Sequence, residues 1–223
     1  MVIRQRAIQA EDKQERYNAI LDAAERILLR SPDHVANVVE VADEAGLAKG
    51  TVYLYFPSKE ELLLALHERN IDGFFGALVA LLERARPVGI EDVLSVAHEH
   101  MIDPPLFLPL AARCLATMAQ SVPTGAATAF KQRLGERLAR AGAGIERHFR
   151  ALPPGGGVVL LRHSYALVLG LWQLSGAKQC PAAAPQHAPA LFDWSYADSV
   201  DAGLRALWQG AAGSRTARSR GAA

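Results

Sequence analysis

Cysteine is almost missing from this chain: Cys114 and Cys180 are the only two in 223 residues. Two thiols so far apart in sequence build neither a disulfide scaffold nor a zinc quartet. Surplus charge is missing too, since 24 Lys/Arg against 23 Asp/Glu leave a net +1. Residues 1–60 hold eight basic and ten acidic side chains. A global basic field that would attract polyanions indiscriminately is therefore excluded, and any anion-directed charge has to be local, at Arg4, Arg6, Lys49 and Lys59. The opening MVIRQRAIQAEDK has no apolar core of the kind a signal peptide needs, so a reducing cytoplasm is the expected compartment. No unbroken run of ~20 apolar residues occurs. The nearest approach, Val158 to Ala177, is interrupted by Arg162 and His163, and is expected to be a central helix buried in protein, not a membrane span. Period-two alternation, internal repeats, a phosphate-binding glycine motif, a nucleophile elbow and a zinc-protease helix are all missing. Gly155-Gly156-Gly157 follows two prolines and no strand, so it reads as a loop.

What remains is helical periodicity. Half of the residues are hydrophobic, enough for a sizeable core, and they recur at helical spacing. After an arm over Met1–Ala10, a first helix is predicted from about Glu11 to Arg30, with Tyr17, Ile20, Leu21, Ala24, Ile27 and Leu28 on one stripe. A long helix starts at Ser58 and runs to the stop at Arg86-Pro87. Others follow over Ile90–Met101, from Asp103-Pro104-Pro105 to about Gln120 with Asp103 as cap, and over about Ala126–Leu152, Val158–Ala177 and Ala190–Gln209. Lys178–Pro189 reads as a Pro/Ala-rich loop and residues 213–223 as a disordered basic tail. The expectation is an all-α fold of about nine helices, divided into residues 1–66, 67–212 and the tail.

Ala48 to Leu62, AKGTVYLYFPSKEEL, organises the rest. Asn37 can cap a short helix over Val38–Ala45, and Gly46 suits the left-handed turn that follows it. A second short helix opens at about Lys49 and is ended by Pro57. Ser58 and Glu61 then form a capping box for the long helix. Within the second short helix, Tyr53 and Tyr55 are expected on one aromatic, hydroxylated face, with Val52, Leu54 and Phe56 on the apolar one. Two brief helices joined by a tight glycine turn describe a helix-turn-helix.

Residues Tyr17 to Leu66 resemble the DNA-binding domain of the TetR (tetracycline repressor) family. The likeness rests on Ala23-Ala24, Val41-Ala42, Ala45-Gly46, Lys49-Gly50-Thr51-Val52-Tyr53, Tyr55-Phe56, Ser58-Lys59 and Glu61-Leu62. Asn37 stands where the family usually has Thr or Ser, and Pro32-Asp33-His34 replaces a more usual glycine-containing loop. The resemblance implies a homodimer that binds a double-stranded DNA operator and holds a small effector in its second domain. By that implication Asn37, Lys49, Gly50, Thr51, Tyr53, Tyr55 and Lys59 face DNA. The residues argue the same way. An ammonium at the start of a helix opposes the dipole, so Lys49 suits a phosphate partner. Lys59 stands where free N–H groups already favour an anion, and Gly50 gives clearance for a close backbone approach.

His98-Glu99-His100 offers two imidazoles that diverge on a helix, and His163 with Tyr165 reads as a satisfied buried pair. Candidate effector residues are His100, Met101, Phe107, Arg113, Met118, Tyr165 and Trp172. With few polar groups among them, they suit an apolar or amphipathic effector. No cofactor, metal or membrane partner is expected. The alternatives are an activator, a regulator that answers to no small molecule, and an all-helical enzyme with Cys114 as nucleophile, for which no residue supplies the base.

Overall fold

The computed structural model describes residues 2–31, 37–118, 122–175 and 194–213, without the side chains of 2–10, 117, 118 and 213. Among these residues every regular element is helical: α1 (Val2–Arg30), α2 (Val38–Ala45), α3 (Lys49–Tyr55), α4 (Lys59–Leu82), α5 (Ile90–Ala97), a π-helical turn (His98–Ile102), α6 (Phe107–Met118), α7 (Thr124–His148), α8 (Gly156–Leu174) and α9 (Tyr196–Gly213). The all-α expectation is met. The Pro32-Asp33-His34 link, Cys180, the 178–189 loop, the start of the last helix at Ala190 and the tail beyond Gly213 lie outside the described residues.

The chain forms two compact units, one of residues 1–69 and 105–127, the other of 70–104 and 128–223. In the first, α1 buries Ile20, Leu21, Ala24, Ile27 and Leu28 against Val41 of α2, Val52 of α3, Leu62 and Leu66 of α4, and Leu110 of α6. The expected arm is not separate from this element: the backbone of residues 2–10 is the beginning of α1. That segment has neither glycine nor proline, so nothing local stops the helix. Ion pairs tie the outer faces together. Arg69 reaches Asp22 at 2.5 Å and Glu25 at 2.8 Å, and Arg30 and Arg26 converge on Glu44 at 2.5 and 2.8 Å. The hydrogen bonds from Arg30, then Arg26, hold the Glu44 carboxyl down at about 2. These pairs are solvent-exposed, so they fix geometry more than they stabilise.

The second unit contains the C-terminal half of α4 with α5, the π-turn, most of α7, and α8 and α9. Trp208 of α9 is buried, stacks edge-on against Phe149 with centroids 5.3 Å apart, and donates its indole N–H to Ser164 Oγ at 2.9 Å. The Ser164 hydroxyl donates in turn to the Leu160 carbonyl at 2.8 Å, so a polar pair deep in the unit is satisfied. α7 and α8 cross at glycines. A Cβ on Gly157 would fall 2.2 Å from the Gly142 carbonyl oxygen, and one on Gly142 2.8 Å from the Val158 nitrogen. The Gly157 N–H donates to Glu146 Oε1 at 3.0 Å, so a carboxylate from α7 caps the start of α8.

Two expectations for this unit are corrected. Asp103 does not cap α6, which starts later, at Phe107. Pro104 and Pro105 have no N–H for such a cap to accept. Instead the Asp103 N–H closes the π-turn on the His98 carbonyl at 3.0 Å, and its carboxylate lies 3.1 Å from His98 Nδ1. The other ring nitrogen, Nε2, meets Asp201 of α9 at 2.6 Å. Burial disfavours the His98 imidazolium, but Asp201 and Asp103 outweigh it and raise the pKa. The second correction concerns α8, which is not wholly buried. By length and composition it is the one described helix long and apolar enough to cross a membrane. It buries Leu160, Leu161, Ser164, Val168 and Leu169 on one side only. Val159, Arg162, His163, Ala166 and Leu174 are exposed on the other. His163 and Tyr165 therefore form no buried pair, since the imidazole is in solvent and the phenol half-buried.

Candidate nucleic-acid interface

Both ends of α2 are set by local chemistry. Asn37 Oδ1 accepts the N–H groups of Val39 at 2.9 Å and Glu40 at 3.1 Å, while Glu40 Oε2 accepts the Asn37 N–H at 3.0 Å. Gly46 ends the helix at φ +66°, the left-handed conformation that glycine adopts without strain. Asn37 is thus committed to fixing α2. The turn delivers the chain to α3, whose last turn closes with the Phe56 N–H on the Val52 carbonyl at 2.9 Å.

On α3, Val52 and Phe56 face inward and are buried. Lys49, Gly50, Tyr53 and Leu54 face solvent, and Thr51 and Tyr55 lie between, half-buried. This overturns the expected split of the helix. Successive side chains turn by 100°, so Tyr53 and Tyr55 diverge, and so do Val52 and Leu54. Tyr55 leans on the core. Leu54, assigned from sequence to the apolar face, is 85% exposed. Lys49 and Tyr53, one turn apart, do converge: the ammonium lies 5.7 Å from the ring centroid, within cation–π range. The pair presents a positive charge and a phenol side by side.

Gly50 has no conformational need to be glycine. Its backbone is helical, and an added Cβ would meet nothing within 4 Å. Glycine inside a helix costs up to about 1 kcal/mol relative to alanine. A cost with no return inside the chain favours a return outside it, in a surface that must approach this backbone closely. Gly50→Ala is accordingly expected to raise thermal stability slightly and to weaken binding of the external partner. Parallel melting and binding curves check both signs.

Lys59 begins α4 exposed to solvent, with Nζ 3.9 Å from Glu60 Oε1. Ser58 Oγ accepts the Glu61 N–H at 3.1 Å, the first half of the expected capping box, while Glu61 Oε1 accepts from the Ser58 hydroxyl at 3.3 Å and not from its backbone N–H. Two carboxylates in this first turn offset part of the attraction for an anion. Lys59 therefore works as a mobile point charge more than as part of a preformed clamp.

The effector candidates divide between the two units. Phe107, Arg113 and Met118 belong to the first unit, and His100, Met101, Tyr165 and Trp172 to the second. Met101 and Phe107 are core residues, whereas His100, Arg113, Tyr165 and Trp172 are half-buried. The Met118 side chain is outside the described residues. A cavity of about 220 Å³ in the second unit is lined by Val79, Leu82, Glu83, Arg140, Ala143, Gly144 and Arg147, none of them a candidate. Cys114 is buried, and its Sγ lies 3.7 Å from the Leu63 carbonyl. Burial pushes its thiol up to about 12, which removes the thiolate that nucleophilic chemistry needs.

Comparison with known proteins agrees with this geometry. The family model described as "Bacterial regulatory proteins, tetR family" matches residues 20–66, and "Tetracyclin repressor-like, C-terminal domain" matches residues 68–215. The chain is 36% identical over 64 residues to the fatty acid metabolism regulator protein of Bacillus subtilis (strain 168), covering 29% of this chain and 33% of that one. It is 41% identical over 69 residues to the HTH-type transcriptional regulator EthR of Mycobacterium tuberculosis, covering 31% and 32%. These matches span about a third of the relatives' length. Among solved structures, SmeT, the repressor of the Stenotrophomonas maltophilia multidrug efflux pump SmeDEF, aligns over 87% of this chain and 89% of its own. The TM-score is 0.53 and the identity 24%, a likeness of fold.

Proposed function

Because the chain belongs to the TetR family of bacterial regulatory proteins, and not to a family of enzymes, we propose that it binds a double-stranded DNA operator as a cytoplasmic homodimer and represses transcription until a small apolar or amphipathic effector releases it. One observation carries the DNA reading. The outward face of α3, with Lys49, Gly50 and Tyr53, has no packing role, on a helix whose position is fixed by a capped α2 and a left-handed Gly46. Such a helix enters the major groove with its exposed residues on base edges and phosphates. Thr51 and Tyr55, at the margins, reach the sugar–phosphate walls, and Lys59 adds a phosphate contact. An electrophoretic shift with the DNA upstream of the protein's own gene tests this directly, and no retarded species with any upstream fragment counts against it. Lys59→Ala should weaken all duplexes alike and lower the slope of log affinity against log salt by about one unit.

The homodimer reading is supported by α8, whose outer side leaves Val159 and Leu174 in solvent at 40% and 75%. The complementary helix of a symmetry-related α8–α9 pair would cover them. Leu204 is a poor probe of this interface, because it is buried within its own chain and a charge there would unfold the second unit. Val159→Glu with Leu174→Glu is the informative variant. Sedimentation should give a folded monomer for it and a dimer for the parent, and a parent that stays monomeric at micromolar concentration removes the proposal.

Effector release follows from linkage. A ligand that favours recognition helices spaced differently from about 34–36 Å weakens operator binding, and the operator weakens the ligand by the same factor. α4 contributes residues to both units and joins the helix-turn-helix region covalently to the second of them. A thermal-shift screen of apolar carboxylates, aromatics and amphiphiles, followed by operator titration, tests it. A compound that stabilises the protein yet leaves operator affinity unchanged argues for a regulator without effector control.

A further inference from the structure

Leu54 is the anomaly of α3. It is the most exposed of the large apolar side chains described, at 85% against 43% for Tyr53. It has no share in the core of the first unit, which takes Val52 and Phe56 from the same helix. Isolated surface leucines are ordinary, but this one lies on the arc shared with Lys49, Gly50 and Tyr53. Helical side chains lean toward the N-terminus, over the turn before them. The turn before Leu54 carries Gly50, where an added Cβ would meet nothing. An aliphatic side chain thus stands beside bare backbone, forming a small apolar notch at the middle of the outward face. Lys49 and Tyr53 border it with a cation and a hydroxyl.

A leucine has no donor or acceptor, so it cannot read the hydrogen-bonding pattern of a base edge. Of the four bases, only thymine displays a methyl group in the major groove. Lys49 and Lys59, both exposed, bring the electrostatic attraction that selects a nucleic acid over a second protein surface. Resting on the reading of α3 as the groove-entering helix, we propose that Leu54 is a specificity residue that recognises the 5-methyl group of a thymine in each half-site of the operator. The notch over Gly50 receives the methyl, and Leu54 closes over it. Burial of one methyl-sized group against an aliphatic side chain is expected to change affinity about fourfold per half-site.

The experiment starts from the full-length protein and duplexes that it selects from a random pool. Each thymine of the selected sequence is then replaced singly by deoxyuridine, which keeps every hydrogen bond and charge and removes only the methyl. One such replacement per half-site should weaken the parent protein about fourfold. The Leu54→Ala variant, exposed and so expected to melt like the parent, should bind the thymine operator about fourfold more weakly per half-site and be indifferent to that same replacement. If no deoxyuridine affects the parent, or if every one affects parent and variant equally, Leu54 does not read a methyl. A variant that changes oligomeric size while both proteins stay blind to the methyl assigns Leu54 to a protein contact and overturns the proposal too. Failure to select any duplex would bring down the DNA reading itself along with this one. A selected operator bound without regard to methyl groups overturns only the role of Leu54.

Discussion

Tyr53→Ala is expected to lower affinity for a selected operator by about 10- to 100-fold and to flatten its preference over unrelated DNA, leaving fold and oligomeric state intact. The ring is 43% exposed, and its one described ring contact is with the Lys49 ammonium 5.7 Å from its centroid. Little stability is therefore at risk. Loss of a base or phosphate contact in the groove costs about 1–3 kcal/mol. Removing the ring also frees Lys49, so Lys49→Ala should have a similar effect, and the double variant should lose less than the sum of the two. Fluorescence anisotropy on operator and scrambled duplexes, with circular dichroism as the control for folding, measures all three. Operator affinity unchanged in both single variants would show that α3 is not the reading helix.

The second large effect is on acid stability. His67 lies in the middle of α4, 3% exposed, with its ring edge-on to Phe107 at 5.4 Å. Its Nδ1 has no hydrogen-bond partner among the described residues. Burial drives its pKa down from 6.5 to about 4, against the opposing pull of Glu68. The sign follows from proton counting. Between pH 6.5 and 4 the unfolded chain carries a proton on this ring and the folded chain does not, so folding stability falls as pH falls through that window. The difference amounts to about 3 kcal/mol, fully lost only below pH 4. His67→Leu removes the proton site and the unsatisfied nitrogen at nearly the same volume. Its melting temperature should exceed the parent's most at pH 4–5 and least at pH 7.5. A constant gap across that range would show that His67 does not titrate as its burial requires.

The helix-turn-helix region was readable because its determinants are local. Asn37, Gly46, Pro57 and the Ser58–Glu61 pair act within a few residues, and each does what its type dictates. The error at Leu54 came from reading VYLYF with a period of two, where a helix of seven residues offers too few turns to display its own period. His67 escaped notice although Leu63 and Leu64, one turn earlier, mark its side of α4 as buried. Two other departures have non-local causes. The Asp103 carboxylate goes to His98, whose other ring nitrogen meets a residue about a hundred positions away. The outer side of α8 sets Val159 and Leu174 beside Arg162 and His163 and is not covered in its own chain, and composition alone does not tell an uncovered apolar side chain from one kept for a core. The effector residues remained illegible for a similar reason: Met101 and Phe107 proved to be core, with nothing in their spacing to set them apart from the half-buried candidates.

The crossing of α7 and α8 at Gly142 and Gly157 bears on how this gene can drift. Every codon one nucleotide away from a glycine codon, apart from stop and other glycine codons, specifies a residue with a Cβ. At Gly157 that carbon would collide with the Gly142 carbonyl, and at Gly142 with the backbone of Val158. Even if the Val158 side chain, which also crowds Gly142, were to turn away, the backbone atoms would remain. Any missense change at these two codons must therefore push α7 and α8 apart, whereas Gly76 and Gly135 have room for an added Cβ. In a deep mutational scan the two crossing glycines should stand out as intolerant positions in helices that otherwise accept alanine.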